Sequence, residues 1–378
     1  MALLCAVFAA LMNLNASAQE SVTPAAQDEV QPTTVRFYAW AGSAEVNAYI
    51  QWASRELAES NRINLHHVKV ADISEAVALV LANSAGESDA VDLLWINGEN
   101  FAALKNANRL VGGLEAKVPN SRLIRSDLDW HVDFGTAVEG FELPWGIAQL
   151  QLIMHTKHVA PEQTVVTPQA LLELAKGSPG RFSYPKPPSF HGTSWLKALA
   201  FQLTDNPAIL TQPAEPAIID EVLRPLWDYL DRLHPYLWHQ GTEFPISAGR
   251  QRQLFNQGVV DNTVTFNPNE VRALQLQRKL APDARSLSIG ARALTNFHYL
   301  AVPRASRRQH GALEVINFLL SPRAQARKAD PQGWADPSVI RLPQRDLESP
   351  DPLVASHPEP HVSWNAVLEQ QWLARYQR

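Results

Sequence analysis

Strands and helices are predicted to alternate between residues 34 and 100, and this order restricts the fold more than any other feature. Thr34–Trp40 has the pattern of a strand, and apolar residues then recur at helical spacing from Val46 to Leu57. Leu65–Val70 predicts a second strand. The almost wholly apolar run Val91–Ile96 predicts a third strand that is covered on both faces. This β-α-β-α-β order predicts an open α/β sheet, in which ligands bind at the carboxyl ends of the strands.

The loops at those carboxyl ends carry the first candidate ligand-binding residues. Trp40 and Gly42 follow the first strand, and the Trp40 indole could stack on a sugar face or on a cationic ring. Asn97, Glu99 and Asn100 follow the third strand, where Glu99 could oppose a cationic ligand and the next helix offers free N–H groups. The alternatives are structural: Trp40 packs between lobes, Asn100 caps the helix, and Glu99 is solvated.

Two strand ends in the middle of the chain add further candidates. Trp145 lies in the segment 141–146, which proline and glycine interrupt, so it could contact both a hinge and a ligand. Thr265 and Asn267 stand at the end of a strand predicted over 259–266 and could hydrogen-bond a ligand. The alternatives are hinge packing for Trp145 and, for this second loop, simple helix capping by Asn269.

A proline-rich loop at residues 184–190 leads into a helix that is predicted to begin near Thr193 or Ser194. His191 and Thr193 therefore stand at a helix start, where hydroxyls and backbone N–H groups could bind an anion. The alternative is a capped helix after a stiff loop, with no ligand.

Composition excludes several classes of function. Lys and Arg number 33 against 38 Asp and Glu, a net charge of −5, which gives no electrostatic reason to expect nucleic acid. The single cysteine is Cys5, so the remainder has no thiol for a disulfide, a metal or catalysis. His66 and His67 are adjacent on a strand and point to opposite faces, and no His-Glu-x-x-His motif occurs. We therefore predict no cofactor and no metal.

Enzyme signatures are also missing. The sequence has no Gly-x-Ser-x-Gly elbow, P-loop or Gly-x-Gly-x-x-Gly motif. Pairs of Asp and Glu occur, as in any chain of 378 residues, so spacing leaves a glycosidase-type pair open. A secreted hydrolase or lyase that acts on a small or saccharide substrate is the alternative function.

The amino-terminal segment predicts export. Residues 2–12 are apolar, and Ala16–Ala18 forms an A-x-A cleavage signature before Gln19. The apolar run is too short to span a bilayer. No Lys or Arg precedes it, so the true start could lie upstream of Met1. We predict a signal peptide over 1–18, a flexible leader over 19–33, and a periplasmic protein.

Several motifs together resemble a known family. They are Ala39–Gly42, Trp95–Asn100, Pro144–Gln149, Phe255–Gly258 before a strand, and Tyr299–Pro303 before an amphipathic helix. This set resembles the extracellular solute-binding proteins of ABC importers, family 1, and more closely their YnjB-type subgroup. The likeness extends over about 33–340.

The resemblance implies an α/β, two-lobed periplasmic-binding-protein fold of type II, with one ligand in the cleft between the lobes. We place lobe 1 at 34–143 and 263–298, and lobe 2 at 144–262 and 299–378. The expected protein is a monomer without enzyme activity. It closes around a small polar organic solute and delivers it to an ABC permease and its ATPase at the inner membrane. Thiamine-like, polyamine-like and sugar-like solutes stay open.

Overall fold

A computed structural model describes residues 32–70, 72–83, 88–160, 162–343 and 353–377. The predicted signal peptide and most of the predicted leader lie outside these residues. The strands in chain order are β1 (Thr33–Trp40), β2 (Ile63–Val70), β3 (Leu93–Ile96), β4 (Val132–Asp133), β5 (Thr136–Ala137), β6 (Leu143–Gln149), β7 (Gln151–His155), β8 (Val165–Val166), β9 (Asn262–Thr265), β10 (Ala284–Ile289), β11 (Ala293–Ala301) and β12 (Ser356–His357).

Helices surround these strands. In chain order they are α1 (Ala44–Asn61), α2 (Ser74–Ala82), α3 (Gly98–Asn106), α4 (Leu114–Lys117), α5 (Pro168–Gly177), α6 (Phe190–Leu203), α7 (Ile219–Leu233), α8 (Ala248–Asn256), α9 (Glu270–Leu276), α10 (Gln309–Leu319), α11 (Pro322–Ala329) and α12 (Ser363–Tyr376). No helix among the described residues is both long and apolar enough to cross a membrane.

The first sheet contains the strands that the sequence predicted as a parallel unit. Its strand order is β12-β11-β3-β1-β2, and β6 pairs with β11 as well. Strand β1 runs parallel to β2 and β3, whereas β11 runs antiparallel to β3 and β6. The predicted β-α-β-α-β order is therefore confirmed, and a long antiparallel strand extends the sheet.

The second sheet has the order β8-β10-β7-β9. Strand β10 pairs antiparallel with β7 and parallel with β8, and β7 pairs antiparallel with β9. Two strands connect this sheet with the first one. Strand β6 continues into β7 through the buried Leu150, and β11 places Leu294 in one core and Phe297 in another.

Two large hydrophobic cores lie on the two sheets. The first core contains buried residues of β1, β3, α1 and α10, including Phe37, Ile50 and Ile316. The second core contains buried residues of β7, α6, α7 and α12, including Trp195 and Trp372. Apolar area that is removed from water in each core supplies the main favourable free energy of folding.

Sheet and core membership differs from the predicted division at two segments. Strands β9 and β10, within the predicted 263–298 part of lobe 1, pair in the second sheet. Helices α10 and α11, within the predicted 299–378 part of lobe 2, pack with the first core, whereas α12 packs with the second. The chain passes between the sheets along β11, and nothing in the sequence of this single strand marks the point where it changes core.

Candidate ligand-binding site

A cavity of about 470 Å³ lies between residues of the first core and residues of the second sheet. Strand β6 crosses it and contributes Ala148. The polar and aromatic side chains on the first wall are Trp40, Ser43, Glu45, His298, Trp334 and Asp336. Those on the second wall are His191, Arg252, Thr265, Phe266, Asn267, Glu270, Gln277 and Lys279.

Trp40 ends β1 and stands at this cavity, as the sequence predicted. Its side chain is 44% exposed, although it is large and apolar. The indole folds back over Gly42, where a Cβ atom would lie only 2.1 Å from the Trp40 ring. Glycine at position 42 therefore makes room for this ring orientation, but Gly42 itself does not line the cavity.

The start of α1 contributes an acidic group to the first wall. Ser43 caps this helix, since its Oγ accepts hydrogen bonds from the amides of Glu45 and Val46 at 3.2 and 3.3 Å. The same hydroxyl donates to Glu45 Oε2 at 2.7 Å. The pKa of Glu45 is lowered mainly by this Ser43 hydrogen bond, with a smaller contribution from Lys279 on the other wall.

Aromatic rings form the base of the first wall. The Trp334 ring lies 5.3 Å from Trp145, 5.4 Å from Tyr49 and 5.7 Å from Trp95, measured between ring centroids. Trp145, which the sequence predicted as a ligand contact, is fully buried in this cluster and does not line the cavity. Its position supports the packing alternative. Trp334 is the member of the cluster that reaches the cavity.

Residues 330–338, which we call the strap, follow α11 and carry Trp334 and Asp336 to the cavity. Asp336 forms a buried ion pair with Lys328, and Lys328 Nζ also donates to the Pro337 carbonyl at 2.7 Å. His298 Nε2 lies 3.5 Å from the other Asp336 oxygen. Burial alone would raise the pKa of Asp336, but Lys328 and then His298 outweigh it and hold the pKa below its ordinary value.

Most polar side-chain atoms in the loop from β9 to α9 form hydrogen bonds within the protein. Thr265 Oγ1 accepts from the Asn267 amide at 2.9 Å, and Asn267 Oδ1 accepts from the Asn269 amide at 3.0 Å. Asn267 Nδ2 donates to the Trp334 carbonyl at 3.4 Å, and Asn269 Nδ2 donates to the Ala335 carbonyl at 3.0 Å. Thr265 and Asn267 thus line the cavity as predicted, and the two asparagines also join the second wall to the strap.

Arg252 and Glu270 form an ion pair on the second wall, with Nη2 and Oε2 2.9 Å apart. Arg252 Nε is buried and has no hydrogen-bond partner. His191 packs against Phe266, with ring centroids 5.4 Å apart. Burial lowers the pKa of His191, and the nearby Arg252 lowers it further while Glu270 opposes the change.

The remaining predicted site residues do not line this cavity. Helix α3 begins at Gly98, one residue after Asn97, and the Gly98 amide donates to the buried Asp133 carboxyl group of the β4–β5 hairpin. Glu99 is exposed, and Asn100 is half-buried. These residues were predicted from the strand end alone, and no sequence motif indicates the hairpin that contacts this helix start.

Helix α6 begins at Phe190, earlier than predicted, because Ser189 caps it by accepting from the Gly192 amide at 3.3 Å. His191 and Thr193 therefore lie in its first turn. Only His191 reaches the cavity. Thr193 is buried, and its hydroxyl donates to Glu369 Oε1 at 2.6 Å, which ties α6 to α12.

The sequence reading missed Glu45, Arg252, Glu270, Lys279, Trp334 and Asp336. Two of them could have been predicted from the sequence. Glu45 follows the helix-capping Ser43, and Glu270 begins a helix after a predicted strand end. The strap residues could not have been predicted, because no motif marks them. Among the described residues, no group of three or more His, Cys, Asp or Glu side chains could hold a metal ion.

Comparison with known proteins identifies the family. A family model described as bacterial extracellular solute-binding protein matches residues 52–339. The chain belongs to this family. It is also 42% identical over 366 residues to Protein YnjB of Escherichia coli strain K12, which covers 93% of this chain and 92% of that protein. The expected solute-binding family and the likeness to YnjB are therefore confirmed.

Solved structures of solute-binding proteins share the fold of this chain. An extracellular solute-binding protein from Bordetella parapertussis superposes with a TM-score of 0.69 at 12% identity, over 90% of this chain and 98% of that one. The spermidine/putrescine ABC transporter substrate-binding protein PotD from Streptococcus pneumoniae superposes with a TM-score of 0.64 at 16% identity, with the same coverage. The predicted type II periplasmic-binding-protein fold is confirmed.

Proposed function

We propose that this solute-binding protein captures one small organic solute in the 470 Å³ cavity and presents it to the permease of an ABC importer. The observation that carries the proposal is the lining of the cavity by both the first core and the second sheet. A volume of this size lies within the roughly 300–1,000 Å³ that ligand pockets usually enclose. Membership of the family supports capture, and the named ABC transporter relatives support delivery.

Closure would occur along the strands that connect the two sheets. We take the units around the two cores as the lobes, with hinges near Leu150 between β6 and β7 and between Leu294 and Phe297 in β11. A ligand that contacts both walls favours the closed form by the difference in its affinity for the two forms. Export by residues 1–18 to the periplasm and action as a monomer belong to the same proposal.

The test is a thermal-shift screen of residues 19–378 against vitamins, polyamines, sugars, amino acids and oxyanions. A compound that binds the folded state raises the melting temperature in a dose-dependent manner. Trp40→Ala should weaken its binding roughly tenfold, since a large aromatic side chain on the wall is lost. Leu79→Ala is the matched control, because Leu79 is similarly exposed on α2 but does not line the cavity.

Recovery of the compound separates binding from catalysis. A binding protein returns the solute intact and in a stoichiometric amount after denaturation, as mass spectrometry can measure. Conversion of the compound in many-fold excess over protein would contradict the proposal and favour the hydrolase or lyase alternative. Equal loss of binding in Trp40→Ala and Leu79→Ala would place the solute elsewhere.

A further inference from the structure

The cavity walls restrict the chemistry of the solute further, because most of their acidic groups already have donors. Glu45 accepts from Ser43, Glu270 pairs with Arg252, and Asp336 pairs with Lys328. A polyamine carries several ammonium groups and needs carboxylates that lack such partners. The arrangement of these three acids therefore does not favour a polycation.

The polar side chains of the β9–α9 loop also have hydrogen-bond partners within the protein. Both polar atoms of the Asn267 side chain and the hydroxyl of Thr265 form hydrogen bonds within the protein. A sugar or polyol presents many hydroxyl groups, and each of them needs a donor or an acceptor when it leaves water. This loop leaves few such groups for a solute, so it does not favour a sugar.

Apolar surface dominates what is left for the solute. Val46, Ala148, Val264, Phe266, Leu274 and Trp334 all line the cavity. Within the described residues, the three most exposed large apolar side chains lie one or two positions from lining residues in the chain, although they are not lining residues themselves. They are Ile246 at 76%, Phe190 at 52% and Leu276 at 52%. The apolar lining itself favours a solute with an apolar or aromatic body, which would cover this surface from water.

The second wall carries two basic side chains, Arg252 and Lys279, and one acidic side chain, Glu270. No carboxylate of the described residues forms an ion pair with Lys279, which lines the cavity. Arg252 uses Nη2 for Glu270, while its buried Nε has no partner. The first turn of α8 adds Ala248 and Gly249 to the same wall, and a helix N-terminus favours negative charge. This wall therefore suits one anionic group.

We propose that the cavity takes an amphipathic organic monoanion, with its apolar body against Trp40 and Trp334 and its anionic group toward Arg252 and Lys279. The inference rests on the proposed function and names the solute class for the same site. It differs from the thiamine-like, polyamine-like and sugar-like solutes that the sequence left open. A solute of this class would also account for the position of Arg252 beside the apolar lining of the cavity.

The experiment uses calorimetry and thermal shift on protein freed of solute by unfolding and refolding. The anionic probes are phenylacetate, 4-hydroxybenzoate, indole-3-acetate and isovalerate. Indole-3-acetamide and tryptamine match indole-3-acetate in size but are neutral and cationic, and acetate, spermidine, thiamine and glucose complete the set. We expect an anionic probe with an apolar body to bind at least tenfold more tightly than its amide or amine. Free acetate should not compete.

Variants test the placement of the anionic group. Arg252→Gln should weaken the anionic probe at least tenfold and leave the amide unchanged, because only the charged contact is lost. Arg250→Gln is the matched control, since Arg250 is exposed on the same helix and does not line the cavity. If Arg252→Gln does not fold, the exposed Lys279→Gln serves in its place, with an expected loss of roughly two- to fivefold.

The outcomes separate this inference from the proposed function. Tighter binding of spermidine, thiamine, glucose or tryptamine than of every anionic probe would overturn the inference and leave solute capture intact. Equal effects of Arg252→Gln on the carboxylate and on its amide would also overturn it. If nothing in the wider screen binds and the denatured protein releases no solute, both proposals are wrong.

Discussion

Asp336 and Asp133 are buried to the same extent, yet their surroundings drive the charge of the two carboxyl groups in opposite directions. Asp336 is 3% exposed and Asp133 is 2% exposed. The pKa of Asp336 lies below its ordinary value because the ammonium of Lys328 outweighs burial. Burial raises the pKa of Asp133 to about 8, although the Gly98 amide opposes the change.

The difference lies in the neighbours of each group. Asp336 faces Lys328 and His298, whereas Asp133 faces the acids Glu142 and Glu359. Burial raises the pKa of Glu142 well above its ordinary value, Asp133 raises it further, and neither Glu142 oxygen has a hydrogen-bond partner. Of these two buried aspartates, the one with a cation beside it has the lowered pKa and the one beside other acids has the raised pKa. The first of them lies on the cavity wall, and the other does not.

Removal of Lys328 gives the largest expected effect. Lys328→Met leaves the Asp336 charge buried without its cation and should lower the free energy of unfolding by about 3–5 kcal/mol. Lys328→Met with Asp336→Leu should recover most of that loss, because no uncompensated charge remains. Urea unfolding measures both variants. Lys176→Met, at an exposed pair with Glu173, should change stability by less than about 1 kcal/mol. If Lys328→Met lowers the free energy of unfolding by as little as Lys176→Met does, Lys328 does not stabilise a buried Asp336 charge.

Asp133→Asn tests the other aspartate through pH. The unfolded aspartate loses its proton near pH 4, while the folded one keeps it to about pH 8, so the folded state binds more protons between these values. Stability of the parent therefore falls as pH rises, by up to about 1.4 kcal/mol per pH unit from this group. Asparagine removes this loss and can still accept the hydrogen bond from Gly98.

The free energy of unfolding at pH 5, 6.5 and 8 checks the Asp133 prediction. The advantage of Asp133→Asn over the parent should grow with each step. Glu142 adds a slope of the same sign in both proteins, and Lys105 near it opposes that slope. Asp129→Asn, at an exposed position, is the control and should follow the parent. A parallel pH dependence of parent and Asp133→Asn would show that Asp133 is ionised in the fold.

Asn269→Ala is expected to have the smallest effect on stability. Asn269 holds the Ala335 carbonyl from the opposite wall, and Ala335 has a φ of +63°, a conformation that alanine rarely adopts. Loss of this hydrogen bond should cost about 1 kcal/mol and speed amide hydrogen exchange in the strap. Lys328 should still hold Asp336. Exchange that stays at the parent level, or that also rises in the exposed control Asn206→Ala, would contradict a role for Asn269 in holding the strap.

Much of the local structure could be predicted from the sequence. Ser43 caps α1, and Thr167 caps α5, where Pro168 is the first helical residue, as the residue types indicate. Trp40, His191, Thr265 and Asn267 were predicted as site residues and do line the cavity. Caps, periodicity and strand ends depend on residues that are close in the chain, so the sequence can indicate them. That these four residues bind a solute stays a prediction.

Other parts of the site depend on residues that are distant in the chain. Glu99 looked like a ligand contact, but the hairpin that contacts the α3 start comes more than thirty residues later. The lobe boundaries at 263–298 and 299–378 stay a prediction, and the sequence does not show that β11 contributes residues to both cores. Arg252 and Glu270 meet as a pair only because α8 and α9 flank the same strand end.

The sequence by itself determined the α/β order of strands and helices, their caps, and a family resemblance that the comparisons confirm. The tertiary structure alone decided which side chains share the cavity and which buried acids keep a charge. Asp336 and Asp133 illustrate the reason. Their residue type is identical, and the pKa of each is set by groups that folding brings together from distant parts of the chain.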